Sequence, residues 1–196
     1  MRSLHLAVTL ALTLARAPAP PDTSAEASRG RVVEVVDGDT VHLRLTEADE
    51  RPGRRAGVVK VRLYGADAPE KGQPHGREAT RALSALVLGR EVVLQRVTTD
   101  HYGRQVALVS VGGRDVSAAL VEGGHAWAFR RYLGRRPGDE RLCALEYQAR
   151  AARAGLWALD ARRRDAPWVH RRDGRGREKV AAERSAEDCV RAFERQ

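Results

Sequence analysis

Aromatic side chains are scarce, only 5% of 196 residues, so any core has to be assembled mainly from Val, Leu and Ala. Cysteine is scarcer still. Cys143 and Cys189 are the whole complement, and their spacing matches neither a metal-binding nor a redox motif. No segment stays apolar for the roughly 20 residues that cross a bilayer, which excludes a long transmembrane helix. No internal repeat is present, which excludes solenoid and propeller architectures.

Acidic residues are outnumbered. Lys and Arg total 35 against 26 Asp and Glu, giving a net charge of +9 and a pI near 10.5. Such a balance favours polyanionic partners, because neutralising phosphates releases their condensed counterions. Charge by itself does not separate an enzyme acting on such a polymer from a passive binder, or from a basic protein that simply stays soluble. The length and the hydrophobic fraction of 42% fit one globular domain with short terminal extensions.

The first 20 residues read as a signal peptide. Arg2 supplies the charged start, His5 to Leu14 a short apolar stretch, and Ala15-Arg16-Ala17 a small-x-small cleavage pattern. An uncleaved amphipathic start or weak anchor is the alternative. Residues 21–29 follow as a flexible leader, 30–160 as the folded domain and 161–196 as a basic C-terminal extension. These features predict a secreted or periplasmic protein with no stable membrane association after cleavage, acting as a monomer. An exported chain with two cysteines can form one disulfide, Cys143 to Cys189, with two unrelated thiols as the alternative.

The domain alternates short strands with a few helices. Arg31–Val36 and Thr40–Leu45 flank an Asp37-Gly38 turn, and Val41, Leu43 and Leu45 alternate with His42 and Arg44 at the period of a half-buried strand. A polar loop, 47–57, leads to a third strand, Val58–Tyr64, with Val59, Val61 and Leu63 on one face. Glu91–Val97 and Gln105–Val111 complete five. Between strands three and four, Ala79, Ala82, Leu83, Leu86 and Val87 have helical spacing, with Gly89 at the C-terminal cap position. A short helix is expected from Asp115 to Gly123-Gly124. A longer one has Asp139 as N-cap, buries Leu142, Leu145, Ala149 and Ala152, and stops at Gly155. Five strands with a helix inserted after the third predict an α+β protein built on a small oligonucleotide/oligosaccharide-binding (OB) barrel.

Three segments concentrate charge beside turn residues: Asp37-Gly-Asp-Thr40, Arg62 through Asp67-Ala-Pro-Glu70, and Asp100-His-Tyr-Gly-Arg104. Each alone is an ordinary turn. In this order and spacing they resemble the staphylococcal nuclease family. The likeness continues through Leu120–Ala126 and Ala151–Trp157, covering roughly residues 30–160. Pro167-Trp-Val-His-Arg-Arg172 is similar to a terminal motif of exported bacterial members.

The resemblance implies a calcium-dependent nuclease acting on DNA and RNA with little sequence preference and leaving 3′-phosphate ends. Arg62 and Arg104 would grip the scissile phosphate, whose geometry suits the planar guanidinium fork. Asp39, Asp67 and the backbone carbonyl of Ala68 would bind Ca²⁺, an ion that takes hard oxygen ligands. Glu70 would hold the attacking water, as general base or orienting acceptor. Tyr102 and Tyr132 match substrate-binding positions, while Arg130 stands where a second tyrosine is expected. Lys71–His75 is shorter than the active-site loop of the best-known member. A non-catalytic OB module for single strands or a protein partner is the rival reading, and a surface protein that binds through its basic tail is a weaker one. The complete set of Asp39, Asp67, Arg62, Glu70 and Arg104 favours the enzyme.

Overall fold

Val41, Leu43 and Leu45 can share one face of the chain only if the backbone is extended. In the computed structural model, which describes residues 27–46, 57–130, 134 and 136–173, this segment is a strand with Val41 and Leu43 buried. The element order is β1 (Ala27–Val35), β2 (Thr40–Leu45), β3 (Val58–Leu63), the two-residue β4 (Ala66–Asp67), α1 (Gly76–Val87), β5 (Glu91–Thr99), β6 (Gln105–Val111), the short β7 (Arg114–Asp115), α2 (Val116–Glu122), the short β8 (Trp127–Ala128), α3 (Glu140–Ala151) and α4 (Pro167–Asp173). Short 3-10 turns at Gly155–Ala158 and Ala161–Arg163 join the last two helices.

Five of these strands close on themselves. The order β3-β2-β1-β5-β6 is antiparallel throughout, and β3 then pairs in parallel with β6, Val61 opposite Gln105 and Leu63 opposite Ala107. Register shifts at Val32/Glu34 and Arg96/Thr98 mark irregularities of the kind that bend a sheet toward closure. The result is the expected α+β OB barrel. Its interior is aliphatic, as the composition required: Val32, Val41, Leu43, Val61, Leu63 and Val109 are all buried, and Ala79, Leu83 and Val87 of α1 pack on the same core. Gly89 lies beyond α1 with a positive φ of 72° and donates its N–H to Val32 O, so the expected cap also ties the helix to the barrel.

Several boundaries differ from the sequence reading. β1 starts at Ala27, where Ala27–Arg29 pair with Val93–Gln95, so the end of the expected leader is a barrel strand. Asp139 precedes α3 but makes no side-chain cap. Its carboxylate accepts instead from Tyr64 Oη at 2.8 Å and Arg136 N at 3.1 Å, two better-placed donors. Ala152 is exposed, because it falls off the face of α3 that buries Leu142, Glu146 and Ala149. Packing also continues past residue 160. Ala166 and Val169 are buried in a second cluster with Trp127, Ala149, Leu156 and Trp157, and Trp168 meets Trp127 edge-on at 5.5 Å. The three tryptophans therefore concentrate where the helices and α4 meet. Residues 1–20, the loop 47–56, Tyr132 and Cys189 lie outside the described residues.

Candidate active site

Three chain reversals bring the charged segments to one mouth of the barrel. The turn between β1 and β2 is held by Val36 N donating to Thr40 O, and by Asp39 N donating to the Asp37 carboxylate. Gly38 is required here, because a Cβ would sit 2.5 Å from the Ala68 methyl and 2.8 Å from that of Ala79. This close approach lays the Asp37–Thr40 turn against the segment that follows β3. Leu63 N donates to Asp39 O at 2.9 Å, locking turn to strand. A second glycine acts the same way. A Cβ on Gly76 would fall 1.9 Å from Glu70 O, so only glycine lets the Glu70 loop fold onto the start of α1.

Arg62 stands on the strand face opposite Val61 and Leu63, as the alternation predicted, but it barely reaches solvent. It is only 6% exposed, and its two terminal nitrogens are divided between two carboxylates. Nη1 donates to Asp39 Oδ1 and Nη2 to Asp67 Oδ1, the latter at 2.6 Å. Asp39 also accepts from Thr40 Oγ1 at 3.0 Å and from Ala68 N at 2.9 Å. Asp39 and Asp67 thus converge on one guanidinium, and the Ala68 N–H holds Asp39 in place.

Glu70 lies at the edge of this cluster, half-exposed. Its backbone is fixed by a residue that sequence reasoning missed: Gln73, buried, accepts from Glu70 N and donates to Asp165 O, both at 2.9 Å. Arg104 enters from the start of β6. Asp100 anchors it twice, accepting from Arg104 Nε at 2.7 Å and from Arg104 N at 3.0 Å, while the Tyr102 ring lies 5.3 Å from the guanidinium carbon. Tyr102 itself is exposed. Arg62, Glu70, Tyr102 and Arg104 line one open pocket of about 620 Å³ together with Lys60 and Phe129. Asp39 and Asp67 lie behind Arg62.

A second missed residue is Arg171 of α4, which also faces the pocket. Its Nη2 donates to Asp67 Oδ2 at 2.6 Å and its Nη1 to Glu70 Oε1 at 2.8 Å. The terminal Pro-Trp motif was the available signal, because Trp168 anchors the helix that carries this arginine. Arg130 is turned away from a substrate role. It pairs with the buried Glu146, Nη2 to Oε1 at 2.7 Å.

The inner part of the cluster is rich in carboxylates. Asp37, Asp39, Asp67 and Glu70 present four carboxylates to the two guanidinium groups of Arg62 and Arg171. Burial pushes Asp39 up, but the Arg62 charge, the Ala68 N–H and the Thr40 hydroxyl outweigh it and hold Asp39 below the usual carboxylate range. Burial pushes Asp67 above that range, against the pull of Arg62 and Arg171. Burial and the neighbouring Asp39 charge raise Asp37 to about 6. Asp39, Asp67 and the Ala68 carbonyl are hard oxygen donors of the kind Ca²⁺ takes, but among the described residues no group of three or more Asp, Glu, His or Cys side chains is placed to hold a metal ion.

Because its folded-state pKa is raised, ionisation of Asp37 opposes folding. The penalty is absent near pH 4, opens as pH rises toward 6, and is complete above that. Asp37→Asn is therefore expected to raise the melting temperature at pH 7 in chelator and to leave it unchanged near pH 4. Calorimetric melts across this range check it, and an equal shift at both ends would contradict the buried-carboxylate origin.

A family model described as staphylococcal nuclease homologue matches residues 60–159. The chain is 37% identical over 183 residues to a protein of Escherichia coli named Protein ParB, covering 89% of this chain and 93% of that one. It is 35% identical over 153 residues to the micrococcal nuclease of Shigella flexneri, covering 74% and 80% of the two chains. An uncharacterized endonuclease of Escherichia coli O157:H7 is 36% identical over 147 residues, with 72% and 84% covered.

Proposed function

The chain belongs to the staphylococcal nuclease family, and from that membership we propose that it is a calcium-dependent endonuclease hydrolysing DNA and RNA to leave 3′-phosphate ends. A hydrolase of the nuclease type follows from the family. The ion, the two polymers and the end chemistry are our reading. One observation carries it: Arg62, Arg104 and Glu70 face a single pocket, with the carboxylates of Asp39 and Asp67 directly behind Arg62.

Phosphodiester hydrolysis needs the phosphate charge offset, a water positioned in line, and stabilisation of charge that develops on the equatorial oxygens. Arg62 and Arg104 approach from β3 and from the start of β6, so a phosphate between them meets guanidinium donors from two sides. Glu70 reaches the pocket from a loop fixed by Gln73 and Gly76, where its carboxylate can accept a proton from a water or hold that water in line. Asp39, Asp67 and the Ala68 carbonyl would hold a calcium ion. When bound, the ion supplies fixed positive charge next to the phosphate. Lys60 adds positive charge to the pocket, and Tyr102 offers an exposed ring for a neighbouring base or terminal phosphate.

Digestion of a plasmid and of a structured RNA, each with calcium and with a chelator, tests the proposal. Both polymers should be degraded with calcium and survive with chelator, and the fragments should resist end-labelling at their 3′ ends until treated with a phosphatase. Complete digestion in excess EDTA would remove the metal assignment. Binding of both polymers without cleavage would replace the enzyme by a binding module.

We also propose export as a monomer, with a Cys143–Cys189 disulfide. Cys143 is wholly buried on α3 and is not a free thiol. Closing a loop of that length stabilises by about 4 kcal/mol in the chain-entropy picture. Mass spectrometry of the exported, non-reduced protein should find no alkylatable cysteine. Two labelled thiols would refute the bridge.

A further inference from the structure

Arg171 engages the site with only part of its guanidinium. An arginine carries five N–H donors in one fixed plane. Three are used here: Nη1 donates to Asp67 Oδ1 at 3.1 Å and to Glu70 Oε1 at 2.8 Å, and Nη2 donates to Asp67 Oδ2 at 2.6 Å. Asp67 therefore takes the end where Nη1 and Nη2 lie side by side, and Glu70 takes the outer proton of Nη1. The edge that remains carries Nε–H and the second Nη2 proton, which run parallel, and no described residue accepts from it. Such a pair is the two-pronged donor that phosphate oxygens fit. The side chain is 39% exposed and lines the same pocket as Arg62 and Arg104.

We propose that this free edge of Arg171 grips the backbone phosphate adjoining the one that is cut, so that the site holds two consecutive phosphates of the polymer. The inference rests on the nuclease reading above. A water has to fit between Glu70 and the scissile phosphorus. A guanidinium bonded to Glu70 is therefore set back from that phosphate and meets its neighbour along the chain. The donor is also fixed before substrate arrives. Two carboxylates hold its plane, so little side-chain freedom is lost on binding. α4 is pinned independently, with Trp168 on Trp127 and Phe129, Ala166 and Val169 buried, and Gln73 donating to the Asp165 carbonyl.

Two measurements on the full chain test the second contact. The first uses trinucleotides in which one of the two linkages is an uncharged, uncleavable methylphosphonate, in both orders. In one order the unaltered protein should lose about tenfold in kcat/KM against the all-phosphate trinucleotide, the usual worth of a hydrogen bond to a charged group. Arg171→Gln should show no such loss, and neither should Arg171→Lys, which keeps a cation on Asp67 but has no free edge. The second is anisotropy of a labelled single-stranded oligonucleotide bound in chelator, which needs no catalysis. Arg171→Gln should reduce the slope of log Kd against log salt by about 0.7, the value for one phosphate contact on a single strand. Equal rates of the unaltered protein on all three trinucleotides, or an unchanged salt slope in Arg171→Gln, overturns the contact while leaving the nuclease reading in place. A reduced slope in a protein that cuts none of these substrates keeps the contact and removes the nuclease reading.

Discussion

Arg104→Ala is expected to slow hydrolysis by at least ~10²–10³-fold while the protein melts near its normal temperature. As water attacks, negative charge grows on the equatorial phosphate oxygens, and a fixed guanidinium aimed there stabilises the transition state more than the ground state. The fold has a smaller stake in that guanidinium than in that of Arg62, because Arg104 pairs with one carboxylate, Asp100, rather than two. Asp100 keeps the turn through its bonds to Tyr102 N and Arg104 N, which do not involve the side chain. Arg104→Lys should remain badly impaired, because an ammonium lacks the two-pronged geometry. Arg62→Ala should lose as much rate but, unlike Arg104→Ala, should also lose stability. It leaves Asp39 and Asp67 buried without their shared cation, a change that commonly costs about 3–5 kcal/mol. Steady-state kinetics with parallel melts separates the two arginines. Near-normal turnover in a folded Arg104→Ala protein would defeat the nuclease mechanism.

A loss of stability at least as large is expected from Glu146→Ala. This α3 carboxylate is wholly buried and accepts from Ala128 N at 2.7 Å, from both terminal nitrogens of Arg130, and from Nε and Nη2 of Arg150 at 3.0 and 2.7 Å. Truncation removes the common acceptor of all these donors, and about 3–5 kcal/mol is the usual cost of breaking a buried charged pair from one side. The effect should reach the active site, because Ala128 belongs to β8, whose neighbour Trp127 pairs with Asp67 on β4. Urea unfolding should show a markedly lower midpoint, with Glu146→Gln between Ala and the unaltered chain. A midpoint shift within about 0.5 kcal/mol, the range of ordinary surface substitutions, would show that Glu146 is not the keystone the contacts make it.

The barrel was legible because its signals are local. Alternation in β2 and β3, helical spacing in α1 and the glycine after it each report a nearest-neighbour rule, and all reappear in the structure. The charged segments were legible only in combination, through their order along the chain. What stayed hidden depends on distance through space. Strand period assigns Arg62 a face but cannot say that two carboxylates 23 residues before and 5 residues after it will enclose that face. Asp139 looked like a cap because Asp precedes a helix, and nothing local announces that the Tyr64 hydroxyl competes for it. Gln73 carries no motif of its own, and the Pro167–Arg172 motif that contains Arg171 gives no local sign of the carboxylates it meets. They become functional candidates only when packing of the Trp168 segment carries α4 across the mouth of the barrel.

The parallel seam between β3 and β6 also has a kinetic consequence. Arg62 and Arg104 sit on the two sides of that seam, and Arg62 opposite Val106 joins positions far apart in sequence. The hairpin pairings of β1 with β2 and of β5 with β6 close short loops and can form early, whereas the seam must wait until a long loop has been closed. During refolding, secondary structure should therefore return before the two arginines are within reach of a common phosphate. Cleavage competence should reappear only with the last cooperative step, so that a partly folded chain is chemically silent.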